Sequence, residues 1–367
     1  MNRASSGFSL VELMIAVTIS LLVVLGATTV YERTRSRSTD NEAISRLQET
    51  ARYAITIIEP DIRATDYFGL VKGGWQIENK ANGAAPRSPA ALGNPANVCG
   101  ENFAVDLDTP VTADNNNFGT RPGACNGLSG WTSTAVASAD TLVIRRASVC
   151  SSDPNNDGNP ADSTCPAPTA GILQICSTRV GASINSNGAA CPAWPAAQLG
   201  NLVANIYYVD ANSAQTAGTP ALRRKSLTSI GGVVQFQDQE IVSGVEDLQV
   251  QFGIQPNFAA NPFNANAVAT KYVNPGDPAL AGAQIVAVRV WLLVRSDLAE
   301  PSFSDNATYT YADRLVATGV TGVLRDAAAA GRAFQPDSAG GNGAASQQRF
   351  RRLLMSRTIQ LRNTTGN

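Results

Sequence analysis

Residues 8–30, from Phe8 to Val30, read FSLVELMIAVTISLLVVLGATTV, and Glu12 is the only charge among them. As a helix rising about 1.5 Å per residue this stretch covers about 35 Å, enough to cross a hydrocarbon core of roughly 30 Å. Leu25-Gly26-Ala27 would pass as the cleavage site of a secretory leader. Two features oppose that reading: the apolar run continues to Val30, and an acidic side chain stands near its start, where a charge is costly without a partner. Arg33, Arg35 and Arg37 follow the run while only Arg3 and the amino terminus precede it, so a bare count of basic residues favours an N-terminus outside the cell.

The residues around Glu12 bear on that orientation. Gly7-Phe8-Ser9-Leu10-Val11-Glu12 resembles the prepilin signature: a short, weakly basic leader from Met1 ending in Gly7, an aromatic residue next, and glutamate fifth after the junction. The resemblance implies that a prepilin peptidase cuts between Gly7 and Phe8 on the cytoplasmic side and methylates the new amine of Phe8. It also implies that residues 8–30 anchor the chain in the inner membrane with the remainder in the periplasm, against the charge count. Glu12 would then pair with the N-terminal amine of a neighbouring subunit, since a carboxylate is tolerable in a low-dielectric bundle when a cation in the next chain satisfies it.

Beyond the apolar run, Ile44, Leu47, Ala51, Ala54 and Ile58 recur at spacings of three and four, so an amphipathic half, residues 31–59, is expected to continue the helix. Pro60 predicts its end at or near Glu59. The whole element would be about 78 Å long if unbroken. Residues 60–367 then form a globular part, as one domain with insertions or as two. From Gly73 to Ala139 the chain is rich in Gly, Asn, Pro and Ala and reads as long connections.

Strand signals follow at Asp140–Val149, Ile172–Val180, Leu202–Val209, Val233–Gln237, Val245–Ile254 and Ile285–Arg295. In the fifth, Leu248, Val250, Phe252 and Ile254 alternate with Gln249 and Gln251, as in an antiparallel strand with one solvated side. The sixth is apolar on both faces and reads as a central strand. Thr318–Gln348, rich in Gly, Ala and Ser, predicts a mobile surface loop ahead of a last segment, Arg351–Asn363. The sum is an α+β plan: a long N-terminal helix packed on a mainly antiparallel sheet, with loops pinned by disulfides.

Six cysteines, Cys99, Cys125, Cys150, Cys165, Cys176 and Cys191, share one loop-rich window, which suits disulfides in an oxidising compartment. Pairing sequence neighbours gives Cys99 with Cys125, Cys150 with Cys165 and Cys176 with Cys191, one connectivity among many.

Composition narrows the chemistry. With 28 basic and 29 acidic side chains the net charge is -1, so no global field draws nucleic acid. Histidine is absent, which removes His-based triads and His-ligated zinc. No phosphate-cradling glycine motif is present, and no cofactor is expected. Asp153, Asn155 and Asp157 fit the first half of a calcium loop, but Thr164 stands where a bidentate Glu belongs, and a plain turn uses the same residues. Arg145, Arg146, Arg223, Arg224 and Lys225 read as solvated strand faces, and Tyr207, Tyr208, Phe236, Phe252 and Trp291 as sheet-packing residues.

The segments GVEDLQVQFGI, VAVRVWLLVRSD and RRLLMSRTIQLRN resemble strands of PilW-type minor pilins, which are related to the minor pseudopilins of type II secretion. This implies a minor pilin that joins other minor pilins and the major pilin, helps prime assembly of a type IV pilus, and sits at the filament tip, with a tip adhesin as a further partner. Twitching motility and cell adhesion would be its setting. A type II pseudopilin would share nearly every motif. From a different class, a membrane-anchored periplasmic binding module or enzyme would keep its function without Glu12.

Overall fold

The computed structural model describes residues 9–78, 103–116, 118, 135–136, 138–151, 163–188, 191, 197–255, 268–300, 303–312, 325–327, 331–334 and 347–363. Two compact units divide it, residues 1–48 and 49–367. One helix, α1, runs Leu10–Arg63 across that division.

Pro60 does not stop α1, which continues to Arg63. Proline removes one backbone donor, yet the carbonyl of Pro60 still accepts from the Ala64 amide at 3.0 Å. Burial explains the extra turn: Ala51, Ala54 and Ile58 are fully buried as expected, and Ile62, beyond the proline, is fully buried too. Burying an isoleucine stabilises by about 1.5–3 kcal/mol, comparable with the cost of about 3 kcal/mol for proline in a helix interior. Ile44, predicted on the same stripe, is exposed.

In chain order the strands are β1 (Ile77–Glu78), β2 (Val111–Asp114), β3 (Thr141–Ala147), β4 (Ala170–Ser177), β5 (Ala182–Asn187), β6 (Gln198–Asp210), β7 (Ala221–Ile230) and β8 (Val233–Ser243). They continue as β9 (Val245–Gln255), β10 (Lys271–Val273), β11 (Gln284–Arg295), β12 (Tyr309–Tyr311), β13 (Arg325–Ala327), β14 (Gly331–Phe334) and β15 (Arg352–Gln360). The first eight make one sheet ordered β1-β5-β4-β6-β3-β2, with β7 on β6 and β8 on β7. All its named strand pairs are antiparallel except β1 with β5. β6 is long enough to hold β4 through Gln198–Asn201 and β7 through Asn205–Asp210.

The second sheet is β10-β9-β11-β15, wholly antiparallel. IVAVRVWLLVR thus supplies the central strand its two-sided apolarity predicts. Gly244 passes the chain from one sheet to the other at φ +84°, where a Cβ would lie 2.8 Å from the Arg295 carbonyl, so only glycine fits this corner. The sheets are also tied at Asp140, whose amide donates to Leu248 O and whose carboxylate accepts from the Val250 amide, both at 2.8 Å.

Three expectations need correction. Strands β13 and β14 lie inside Thr318–Gln348, and β14 pairs with both β13 and β12, so part of the predicted loop is a small sheet. Backbone pairing there needs no apolar pattern, which hid it. Gln249, expected on a solvated side, is fully buried, its amide donating to Ser138 O at 3.0 Å and to Asp247 at 3.2 Å. β7 went unread because ALRRKSLTSI carries little alternation; β8 pairs along its whole length.

Cys150 is bonded to Cys165 and Cys176 to Cys191. Each bridge closes a 15-residue separation, worth about 3 kcal/mol in the loop-closure view. Cys99 and Cys125 lie outside the described residues.

Candidate assembly segment

In the first unit the helix is apolar on every face from Leu13 to Val30. Leu10, Val11, Leu13, Met14, Ile15, Val17, Leu21 and Leu25 are all exposed, and the best 18-residue window has a mean hydropathy of 2.5 with nothing buried. Such a helix suits a lipid or a bundle of like helices. It is long and apolar enough to cross a membrane. Its hydroxyls turn inward: Thr18 donates to Ile15 O at 2.9 Å, Ser20 to Ala16 O at 2.7 Å, Thr28 to Leu25 O at 2.9 Å and Thr29 to Gly26 O at 2.8 Å. Hydrogen bonds back to the helix are how such groups are tolerated in hydrocarbon. Glu12 stands in the first turn, where the positive end of the helix dipole favours it, and no other charge follows until Glu32. Gly7 and Phe8 lie outside the described residues.

In the second unit, polar groups converge on Asp61 of α1. Its Oδ1 accepts from Arg146 Nε at 3.1 Å and Nη2 at 2.7 Å, and its Oδ2 accepts from Asn205 Nδ2 and Tyr207 Oη, both at 2.5 Å. The carboxylate therefore bolts the helix end to β3 and β6. An open groove of about 520 Å³ runs beside it, lined by Thr56, Glu59, Pro60, Arg63, Tyr67 and Asn363 among others. Its one carboxylate, Glu59, is held by Arg63 and Arg357.

Residues 206–363 match the family model of the type IV pilus-assembly protein W, and residues 2–28 match the prokaryotic N-terminal methylation motif. The two matches put a PilW-family domain and a prepilin-type methylation motif in one chain. A solved type IV-like pilin from Thermus thermophilus is similar at 14% identity, over 64% of this chain and 81% of that one, with a TM-score of 0.25. No curated protein matches.

The methylation motif covers Glu12 and the apolar run as far as Thr28, while the PilW-family domain begins inside β6 and ends with Asn363, just past β15. Ion clusters that sequence reasoning missed fill that domain. Arg223 donates to Asp238 at 2.6 and 2.9 Å and to Glu240 at 3.2 Å; Lys225 Nζ lies 3.4 Å from Asp238 and 5.3 Å from the centre of the Tyr208 ring. Lys225 is 1% exposed and Arg145 2%, so these are not solvated strand faces. Arg145 donates to Phe103 O at 2.7 Å and Thr109 O at 2.9 Å, fastening the 103–110 loop. Only Arg224 of the five stays near the solvated role, its Nη2 bonded to Gln239 at 3.1 Å. Basic residues alternating on a strand carry no sign of which face is covered; the acidic complements on β8 were the available signal.

The aromatic expectations hold for Tyr207, Tyr208 and Phe252, which are buried, while Phe236 and Trp291 are partly so. Asp153, Asn155 and Asp157 lie outside the described residues, among which no group of three or more acidic or cysteine side chains could hold a metal.

Burial, followed by the adjoining carboxylates Asp61, Asp238 and Asp305, pushes the phenols of Tyr207, Tyr208 and Tyr309 well above their ordinary range. Groups raised in the folded state stabilise fully below their unfolded value, about 10, and that contribution is lost above it, because the unfolded chain releases protons that the native chain retains. Lys225, lowered by burial, acts in the opposite sense but is one group against three. Stability should therefore fall as pH rises beyond about 10. Absorbance titration of the eight tyrosines should leave Tyr207, Tyr208 and Tyr309 un-ionised until the fold is lost; smooth titration of all eight in folded protein would refute the assignment.

Proposed function

We propose that this chain is a minor pilin, cut between Gly7 and Phe8, methylated on Phe8 and held in the inner membrane by residues 8–30, with residues 60–367 in the periplasm until it enters a type IV pilus. The carrying observation is the helix that is apolar all round with a single carboxylate in its first turn. In the membrane that surface faces lipid; in a filament, like surfaces of neighbouring helices replace lipid at little cost, because both are hydrocarbon. Glu12 then needs a cation, and the methylated amine of an adjacent subunit supplies one. Sheets locked by buried ion clusters and disulfides suit a scaffold that is passed intact from membrane to fibre.

In this reading the chain works with other minor pilins to prime assembly and is carried at the filament tip, beside an adhesin. Its role is structural, with prepilin peptidase as its processing enzyme.

Intact mass and N-terminal sequencing of protein from membranes with and without the peptidase test the reading. The expected product begins at N-methylated Phe8 and appears only with the peptidase. A chain beginning after Ala27, or one uncut in both backgrounds, would overturn it. Immunogold labelling that decorates fibre shafts evenly would count against the tip position alone.

A further inference from the structure

The second sheet has two unlike faces. One carries the fully buried Leu248, Val250, Val288 and Val290; the other carries the cross-strand row Gln251, Arg289 and Thr358. Arg289 is positioned on that second face with care. Its guanidinium carbon lies 3.7 Å from the centre of the Tyr272 ring and 5.7 Å from that of Trp291, and its Nε donates to Thr358 Oγ1 at 3.1 Å. Gly253 makes the stacking possible: a Cβ there would sit 2.9 Å from Tyr272 Cε1, so the missing side chain lets the ring lie across β9.

Arg146, Arg223, Arg295, Arg351, Arg352 and Arg357 each have a carboxylate within 4 Å. Arg289 has none among the described residues, and its two terminal nitrogens are unbonded there. A planar fork held by stacking, with both terminal donors open, is shaped for a carboxylate. The row that contains it ends at β15, whose only partner among the described residues is β11. β15 has nine residues, no proline and no shift in its register with β11, and Ser356, Thr358 and Gln360 are exposed along it. Such an edge accepts an added strand. That strand would lie roughly 10 Å from β11, a gap that an arginine and a glutamate side chain close together.

We infer that Arg289 is a receptor for an acidic side chain on an extended segment of another protein chain, which adds to the free edge of β15. Main-chain bonds to β15 supply affinity, and the Arg289 fork selects an acidic residue opposite Thr358. The site stands apart from membrane anchoring and processing, so its test does not depend on them.

The test titrates the full-length chain in detergent micelles with a fluorescent hexapeptide of alternating Thr and Glu, read by anisotropy. The same peptide with Gln for Glu should bind about tenfold or more weakly, as should the Glu peptide with Arg289→Gln protein of unchanged melting temperature. Arg289→Lys should restore only part of the binding, because it keeps the charge and loses the fork. A central proline in the peptide should abolish binding by removing a main-chain donor. Equal binding of the Glu and Gln peptides, or indifference to Arg289→Gln, would overturn the inference. Tight Arg289-dependent binding of glucuronate without any binding of the peptide would also overturn it and assign the fork to acidic sugars.

Discussion

Glu12→Ala protein should be made, inserted and cut, yet be absent from filaments sheared off cells, a loss of at least about tenfold in incorporation. The size follows from what the carboxylate faces. In an assembled bundle of apolar helices, removing Glu12 leaves the neighbour's terminal amine buried without a partner, and breaking one half of a buried pair costs about 3–5 kcal/mol. In the lone subunit Glu12 is exposed in the first turn, where the helix dipole contributes only about 0.3–1 kcal/mol. The substitution should therefore spare the membrane-held subunit and strike the filament. Glu12→Gln should fail nearly as badly, because it keeps shape and hydrogen bonding but cannot offset the amine's charge. Immunoblots of membrane and sheared fractions check this; normal incorporation of Glu12→Ala would remove the pairing role and favour an anchored module that merely uses this helix.

The second large effect is expected at Arg352, whose side chain is wholly buried. Its Nε and Nη2 donate to the two oxygens of Glu246 at 2.6 and 3.0 Å, and its Nη1 donates to Gln347 O at 2.8 Å and to Asp305 at 3.3 Å. Arg295, stacked 4.3 Å from the centre of the Phe350 ring, reaches Glu246 only at 3.9 Å. Arg352→Ala leaves Glu246 with that distant cation and takes from Asp305 its arginine, and should cost about 3–5 kcal/mol in chemical denaturation. Arg352→Lys should fall between, since one ammonium cannot make the bidentate contact. Adding Glu246→Gln to Arg352→Met should recover part of the loss, because the uncompensated charge goes with it. A cost below about 1 kcal/mol for Arg352→Ala would mean that water reaches the cluster and that it does not lock β15.

Legibility tracked the kind of interaction involved. β9 was readable from apolar residues at period two and β11 from a short run apolar on both faces, patterns that a half-buried and a central strand respectively satisfy. Their neighbour β7 was not, because Arg223 and Lys225 become interior residues only once Asp238 on β8 lies beside them. Pro60 misled for the same reason: a local rule ends the helix, and Ile62 finding a buried site extends it. Asp61 carries no signal in the chain at all, since its partners Arg146, Asn205 and Tyr207 stand far off in sequence.

Taken alone, then, the sequence determined a helix long and apolar enough to cross a membrane, the prepilin motif and the α+β plan, because the apolar run, its one glutamate and the alternating strands are local patterns whose free energy depends little on distant residues. Tertiary structure decided which charges are interior, where α1 ends, and that Arg289 lies on Tyr272 beside a strand edge that no other described strand covers. Those outcomes depend on which side chains meet across long stretches of chain, and pairing a buried charge is a property of the meeting rather than of either residue.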